Sequence, residues 1–179
     1  MRTIRRVLSI LVLLAISVGG VFAATDSDFH VVTINIAEVV MIATVGGNIT
    51  LSTTAPGTAG DPVAGDTDST TAVAYTTING GADRVIQAGI TAGTVPAGTK
   101  LTLSVVDPAD SGGDGLAAAT IDPLSAVDTD LITAIGSTST GTAGFALTYT
   151  LVITDENLLV VNTPLGADIT VTFTLGDSV

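Results

Sequence analysis

Carboxylates grouped on glycine-rich stretches are the part of this sequence best suited to chemistry. Between residues 107 and 115, Asp107, Asp110 and Asp114 are interleaved with Pro108, Ser111, Gly112, Gly113 and Gly115. A hard cation such as Ca²⁺ needs several oxygens gathered on a turn that glycine allows to bend, so Asp107, Asp110 and Asp114 are candidate calcium ligands. Asp61, Asp66 and Asp68 form a second group, and Asp128 with Asp130 a third. The spacing departs from the EF-hand loop and no Glu closes it. Asp and Gly are also ordinary turn formers, which accounts for the same residues without a metal. No other cofactor is implied.

Nucleophilic catalysis has few parts to draw on. Cys is absent, which removes thiol nucleophiles, thiolate metal sites and disulfides, and the single histidine is His30, near one end of the chain. Asp110-Ser111-Gly112 matches the triplet of aspartic proteases, but there is no second copy to supply the partner carboxylate. A hydrolase would need Asp110 and Asp114 to converge in a pocket with one pKa raised. Gly112-Gly113-Asp114-Gly115 lacks the spacing of a phosphate-binding loop. Trp, the best platform for a sugar ring, does not occur. The expectation is a protein that is not an enzyme.

Composition narrows the partners. The 179 residues are 46% hydrophobic yet 3% aromatic, and 5 basic residues face 17 acidic ones for a net charge of −12. That balance argues against nucleic acid, whose phosphates need a basic footprint. Three of the five cations, Arg2, Arg5 and Arg6, precede an apolar run over 7–18. Gly19-Gly20 then breaks the run, and Val21-Phe22-Ala23 has the small residues of a cleavage site. Residues 1–23 therefore read as a secretory signal cleaved before Ala24, and the run is too short for a membrane anchor. Processing would leave Arg84 and Lys100 as the only Lys or Arg against all 17 acids.

Beyond the signal the apolar period is two. Phe145, Leu147, Tyr149, Leu151 and Ile153 share one face of 145–153. Val171, Phe173 and Leu175 do the same in 169–175, as do Leu101, Leu103 and Val105 in 100–105. Such alternation predicts half-buried antiparallel strands, with Thr suited to the outer face by its branched Cβ. Further strands are predicted over 29–36, 39–45, 49–53, 72–78, 84–91 and 131–135, divided by turns at Gly46-Gly47-Asn48, Asn79-Gly80-Gly81, Pro96-Ala97-Gly98 and 162–166. Long loops are expected at 55–70 and 107–116, and 125–135 has room for one helical turn. With so few aromatics the core must be Val, Ile, Leu and Ala, with Tyr75, Phe145, Tyr149 and Phe173 as large anchors. The fold class expected is all-β: one antiparallel β-sandwich, immunoglobulin-like, over residues 24–179.

A run of features reinforces that expectation. Residues 34–42 read Ile-Asn-Ile-Ala-Glu-Val-Val-Met-Ile, followed by Ala55-Pro56-Gly57-Thr58-Ala59-Gly60 and Val95-Pro96-Ala97-Gly98-Thr99-Lys100-Leu101. Leu147-Thr148-Tyr149-Thr150-Leu151 and Val171-Thr172-Phe173-Thr174-Leu175 come later. In this order the chain resembles an uncharacterised group of exported β-sandwich proteins from Gram-negative bacteria. More distantly, it is similar in style to chaperone–usher fimbrial subunits and spore-coat-U-like proteins, though it has no Cys pair. The resemblance implies a non-enzymatic structural protein in the periplasm, on the cell surface or outside the cell. It also implies assembly by donating an N-terminal strand, with Val32, Ile34 and Ile36 as the inserted side chains and other copies or envelope proteins as partners. Pairing of 29–36 within its own domain is the simpler reading of the same alternation. The competing reading of function is a soluble binding module whose acidic loops hold calcium or a small ligand.

Overall fold

Alternating apolar residues form a strand only where a neighbouring backbone completes the ladder, so the fold is set by which segments find partners. A computed structural model describes residues 28, 30–109, 111–161 and 168–178. The predicted signal, residues 1–23, lies outside these. The chain divides into two units, Met1–Asn35 and Ile36–Val179, and every strand described belongs to the second. Among the described residues no helix is long and apolar enough to cross a membrane.

Nine strands make two antiparallel sheets: β1 (Val39–Val45), β2 (Thr67–Ile78), β3 (Arg84–Ala92), β4 (Thr99–Val105), β5 (Leu116–Ala117), β6 (Thr129–Ile135), β7 (Thr138–Ser139), β8 (Phe145–Ile153) and β9 (Thr170–Asp177). One sheet has the order β1-β2-β8-β4, with β7 beside the end of β2, and the other β5-β6-β3-β9. Single 3₁₀ turns at Ser111–Gly113 and Glu156–Leu158 are the helical elements described. The 125–135 segment holds no helical turn; it is bend and then β6.

Side chains from the inner faces of both sheets meet in one dry layer. Val73, Leu101, Leu103 and Leu147 come from the first sheet, and Ile86, Ala88, Leu131, Ile132 and Ile135 from the second. Ile121 and Leu124 join them from the loop before β6. Of the expected large anchors, Tyr75 and Tyr149 are buried, at 3% and 8% exposure, whereas Phe145 and Phe173 are only half-buried at the margin. Tyr75 and Phe145 meet as tilted rings 6.1 Å apart. Glycine is required where backbones come closest. A Cβ on Gly144, which has φ +62°, would lie 2.2 Å from the Val73 carbonyl oxygen, and one on Gly65 would lie 1.8 Å from that of Leu151.

Besides the two-residue β7, which pairs with β2 alone, the two sheets leave four outer strands, closed to different degrees. The outer edge of β4 is met by the loop before β6: Leu103 and Ile121 exchange amide bonds of 3.1 and 2.8 Å, and the Leu124 amide donates to Leu101. The two-residue β5 has its outward Ala117 amide bonded to the Asp107 carboxylate at 3.1 Å. β1 and β9 have no outer neighbour among the described residues, and they lie beside each other across the two sheets.

Three of the predicted strand segments differ from the structure by more than two residues. Residues 30–36 form no strand, although the alternation predicts one; Phe29 lies outside the described residues. An alternating pattern gives the capacity to pair, and no ladder described includes this segment. Residues 49–53 are likewise not a strand, yet Ile49 and Leu51 still pack against the core. β2 begins five residues before the predicted 72, because Thr67 and Asp68 are paired with Thr150 and Tyr149 of β8.

Ala134 sits in β6 with φ +56°, beside a bulge in the ladder to β3. The left-handed region costs a residue with a Cβ roughly 1–2 kcal/mol, and glycine escapes this at a smaller entropic cost. Because the Ala134 side chain is exposed, Ala134→Gly is expected to raise the Tm by about 1–4 °C. A thermal melt showing a lower Tm would mean the methyl group has a packing role.

Candidate functional site

The turn chemistry of the Asp- and Gly-rich stretch folds Asp107 and Asp114 into the sandwich's own hydrogen bonding. Asp107 Oδ1 accepts from the amides of Ala109 and Ala117, both at 3.1 Å. Those two bonds, Ala109's first, hold its carboxyl below the ordinary carboxylate range. Asp114 lies further inside: its carboxylate accepts from the Thr138 hydroxyl, and its carbonyl accepts from the Tyr75 hydroxyl. Asp110 lies outside the described residues. The candidate ligands Asp107 and Asp114 are thus occupied with tying the loop to β5, to β7 and to the buried end of β2.

Asp66, Asp68 and Asp130 behave in the same way. Asp66 accepts from the amides of Ser52 and Thr67 at 3.2 and 2.8 Å, and Asp68 from the amide and hydroxyl of Thr70 at 2.9 and 2.7 Å. Asp130 accepts from the Gln87 side-chain amide at 2.8 Å. Asp128 stands where a Cβ on Gly89 would be, 2.4 Å from its Oδ1, so it seals a close approach to β3. Among the described residues, no three of His, Cys, Asp and Glu converge on a point where a metal ion would sit. His30 is exposed, in a segment that forms no strand.

Two cations carry the ion pairs described. Lys100 bonds Asp122 at 2.8 Å on the surface, where such a pair contributes little. Arg84 is buried at the start of β3 and bridges Glu38, just before β1, and Asp177, the last residue of β9, the latter at 2.9 Å. Sequence reading passed over this clasp. Its signal was an arginine at the head of an apolar strand in a chain with almost no other cation.

The remaining unusual surface is apolar. Val32, Ile34 and Ile36 are 68, 81 and 75% exposed. The inward positions of β1, opposite the buried Thr77, Tyr75 and Val73, are Val40, Ile42 and Thr44, and Val40 is still 44% exposed. On β9 the inward Val171, Phe173 and Leu175 pack against the core but remain half-buried. The flank where β1 and β9 meet is therefore less covered than the centre of the sandwich. Comparison with family models, curated proteins and solved structures finds no match to this chain.

Two measurements probe this description. With no three carboxylates converging among the described residues, and Asp107, Asp114, Asp66 and Asp68 each bonded to nearby amides or hydroxyls, the acidic loops are expected to give no upward shift in Tm on adding millimolar calcium; a rise would show that they reorganise around the ion. Burial pushes the Tyr149 phenol up to about 12 from its ordinary 10.0, and burial together with the charge of Asp114 raises Tyr75 further. The unfolded chain therefore loses these protons first, so stability is intact below pH 10 and falls as pH rises towards 12. Denaturant unfolding across that range, with tyrosinate absorbance of the folded protein, checks this. Phenols that both ionise near 10 in the folded state would contradict it.

Proposed function

We propose that this protein is a non-enzymatic, exported structural subunit of the cell envelope, which assembles by lending residues 30–36 as a strand to a neighbouring molecule. One observation carries the reading: a segment with alternating Val32, Ile34 and Ile36, free of Asp, Glu, Lys and Arg, is exposed and outside every ladder described. Fully burying one such side chain contributes about 1.5–3 kcal/mol, so three of them offer a substantial driving force against the cost of ordering the segment. A sheet edge supplies the complementary backbone groups.

Export rests on the arginines, the apolar run and the small residues of 1–23, which together have the layout of a cleaved signal. Asp107 and Asp114 act in this account as loop fasteners, and no residue is assigned a chemical step. The acidic surface keeps the subunit soluble before assembly and repels anionic lipid.

The test compares the secreted chain with a variant lacking residues 30–36. The sandwich itself starts at Val39, so the deletion is expected to leave the Tm nearly unchanged. Wild-type protein should form rods by electron microscopy and ladders on gels of unheated samples, and the deletion should run as a monomer. Wild-type protein that stays monomeric at every concentration would overturn the proposal.

A further inference from the structure

Building on that reading, we infer that the receiving surface is the outer edge of β9 in a second copy of this chain, with residues 30–36 laid along Thr170–Gly176. The edges of β4 and β5 are already met by the loop before β6 and by Asp107, which leaves β1 and β9 open among the described residues. The inward side chains separate these two. β1 offers Val40, Ile42 and then Thr44, whereas β9 offers Val171, Phe173 and Leu175 without a polar interruption. Three half-buried apolar residues at every second position match three exposed ones at every second position on the incoming segment.

Length and charge agree with this pairing. β9 has eight residues and the segment 30–36 has seven, so the ladder can run nearly its full length. Natural sheets guard exposed edges with Lys, Pro, bulges or inward charges. Residues 169–176, Ile-Thr-Val-Thr-Phe-Thr-Leu-Gly, hold no Lys, Pro, Asp or Glu, and neither does 30–37, His-Val-Val-Thr-Ile-Asn-Ile-Ala; the irregularity in the β3–β9 ladder lies at the start of β9, between the Ile90–Val171 and Ala92–Thr170 pairs. In a chain of net charge −12, two strips free of acids, though bounded by Asp28 and Glu38 and by Asp168 and Asp177, are where two copies can approach with least like-charge repulsion. Once seated, the incoming strand would cover Phe173 and its neighbours, closing the flank that the sandwich leaves open.

The absence of cysteine makes this directly testable. Thr33, Thr172 and Thr174 are exposed, so Thr33→Cys, Thr172→Cys and Thr174→Cys leave the core untouched. Side chains directly opposite in neighbouring strands come close enough for a disulfide. Full chains carrying Thr33→Cys are mixed with chains carrying one acceptor cysteine, oxidised, and run without reductant. A mixed dimer is expected with Thr174→Cys for antiparallel docking, or with Thr172→Cys for parallel docking. It should exceed that with Met41→Cys on β1 by at least several-fold. Mixing forces the link to be between molecules.

A link to Met41→Cys in place of both β9 positions would overturn the assignment of β9 while leaving strand lending intact. So would ladders that persist with no link to any of the three. Ladders unaffected by deletion of 30–36 would bring down the underlying reading, and the docking site with it.

Discussion

Everything in the sandwich hangs on the contact of Leu103, Leu147 and Val73 in one sheet with Ile86, Ile132 and Ile135 in the other. With hardly any large aromatic residues to span the gap, branched aliphatic side chains must fill it at close packing, and deleting any one leaves a cavity its neighbours cannot close. This fixes which face of each strand is inward, and so the register of every ladder, since a slip by one residue would turn the apolar set outwards. The polar features follow from it. Tyr75 and Thr77 lie on the inward face of β2, and their hydroxyls find the carbonyls of Asp114 and Gly136.

Burial is uneven across the sandwich. It is complete at the centre, under β2, β8, β3 and β6, and fades towards β1 and β9. No residue of β1 or β9 is fully buried, whereas most of β3 is. An outer strand has one lateral neighbour at most, and its inward side chains need cover from the opposite sheet or from a loop. The loop before β6 gives β4 that cover. Nothing described does so for β1 and β9, and the apolar alternation of 30–36 is the counterpart best suited to it in composition and spacing.

Much of this was legible in the sequence, for identifiable reasons. β1 and β8 occupy the predicted 39–45 and 145–153, β8 through its clean period of two and β1 as an apolar run closed by the turn at Gly46-Gly47-Asn48. The first residues of β2 escaped because Thr67-Asp68-Ser69-Thr70-Thr71 has no apolar member; its place comes from β8, far away in the chain. β5 and β7 are too short for any period to show. The segments 30–36 and 49–53 carry the pattern without the ladder, because pairing depends on a partner that local sequence does not specify. Among the acidic residues, type and spacing suggested a shared ligand. Their individual bonds to amides and hydroxyls depend on where the backbone of β5 and β7 lies, and this cannot be read from spacing.

The Glu38–Arg84–Asp177 clasp has a mechanical consequence. Tension on the chain ahead of residue 38 enters the sandwich at Glu38 and is divided there. Part runs down the β1–β2 ladder, and part crosses Arg84 into β3, in the middle of the other sheet, and into the tail of β9. A pull on one thread is thereby shared between both layers, so β1 cannot be peeled away without first parting the exposed Glu38 carboxylate from the buried Arg84.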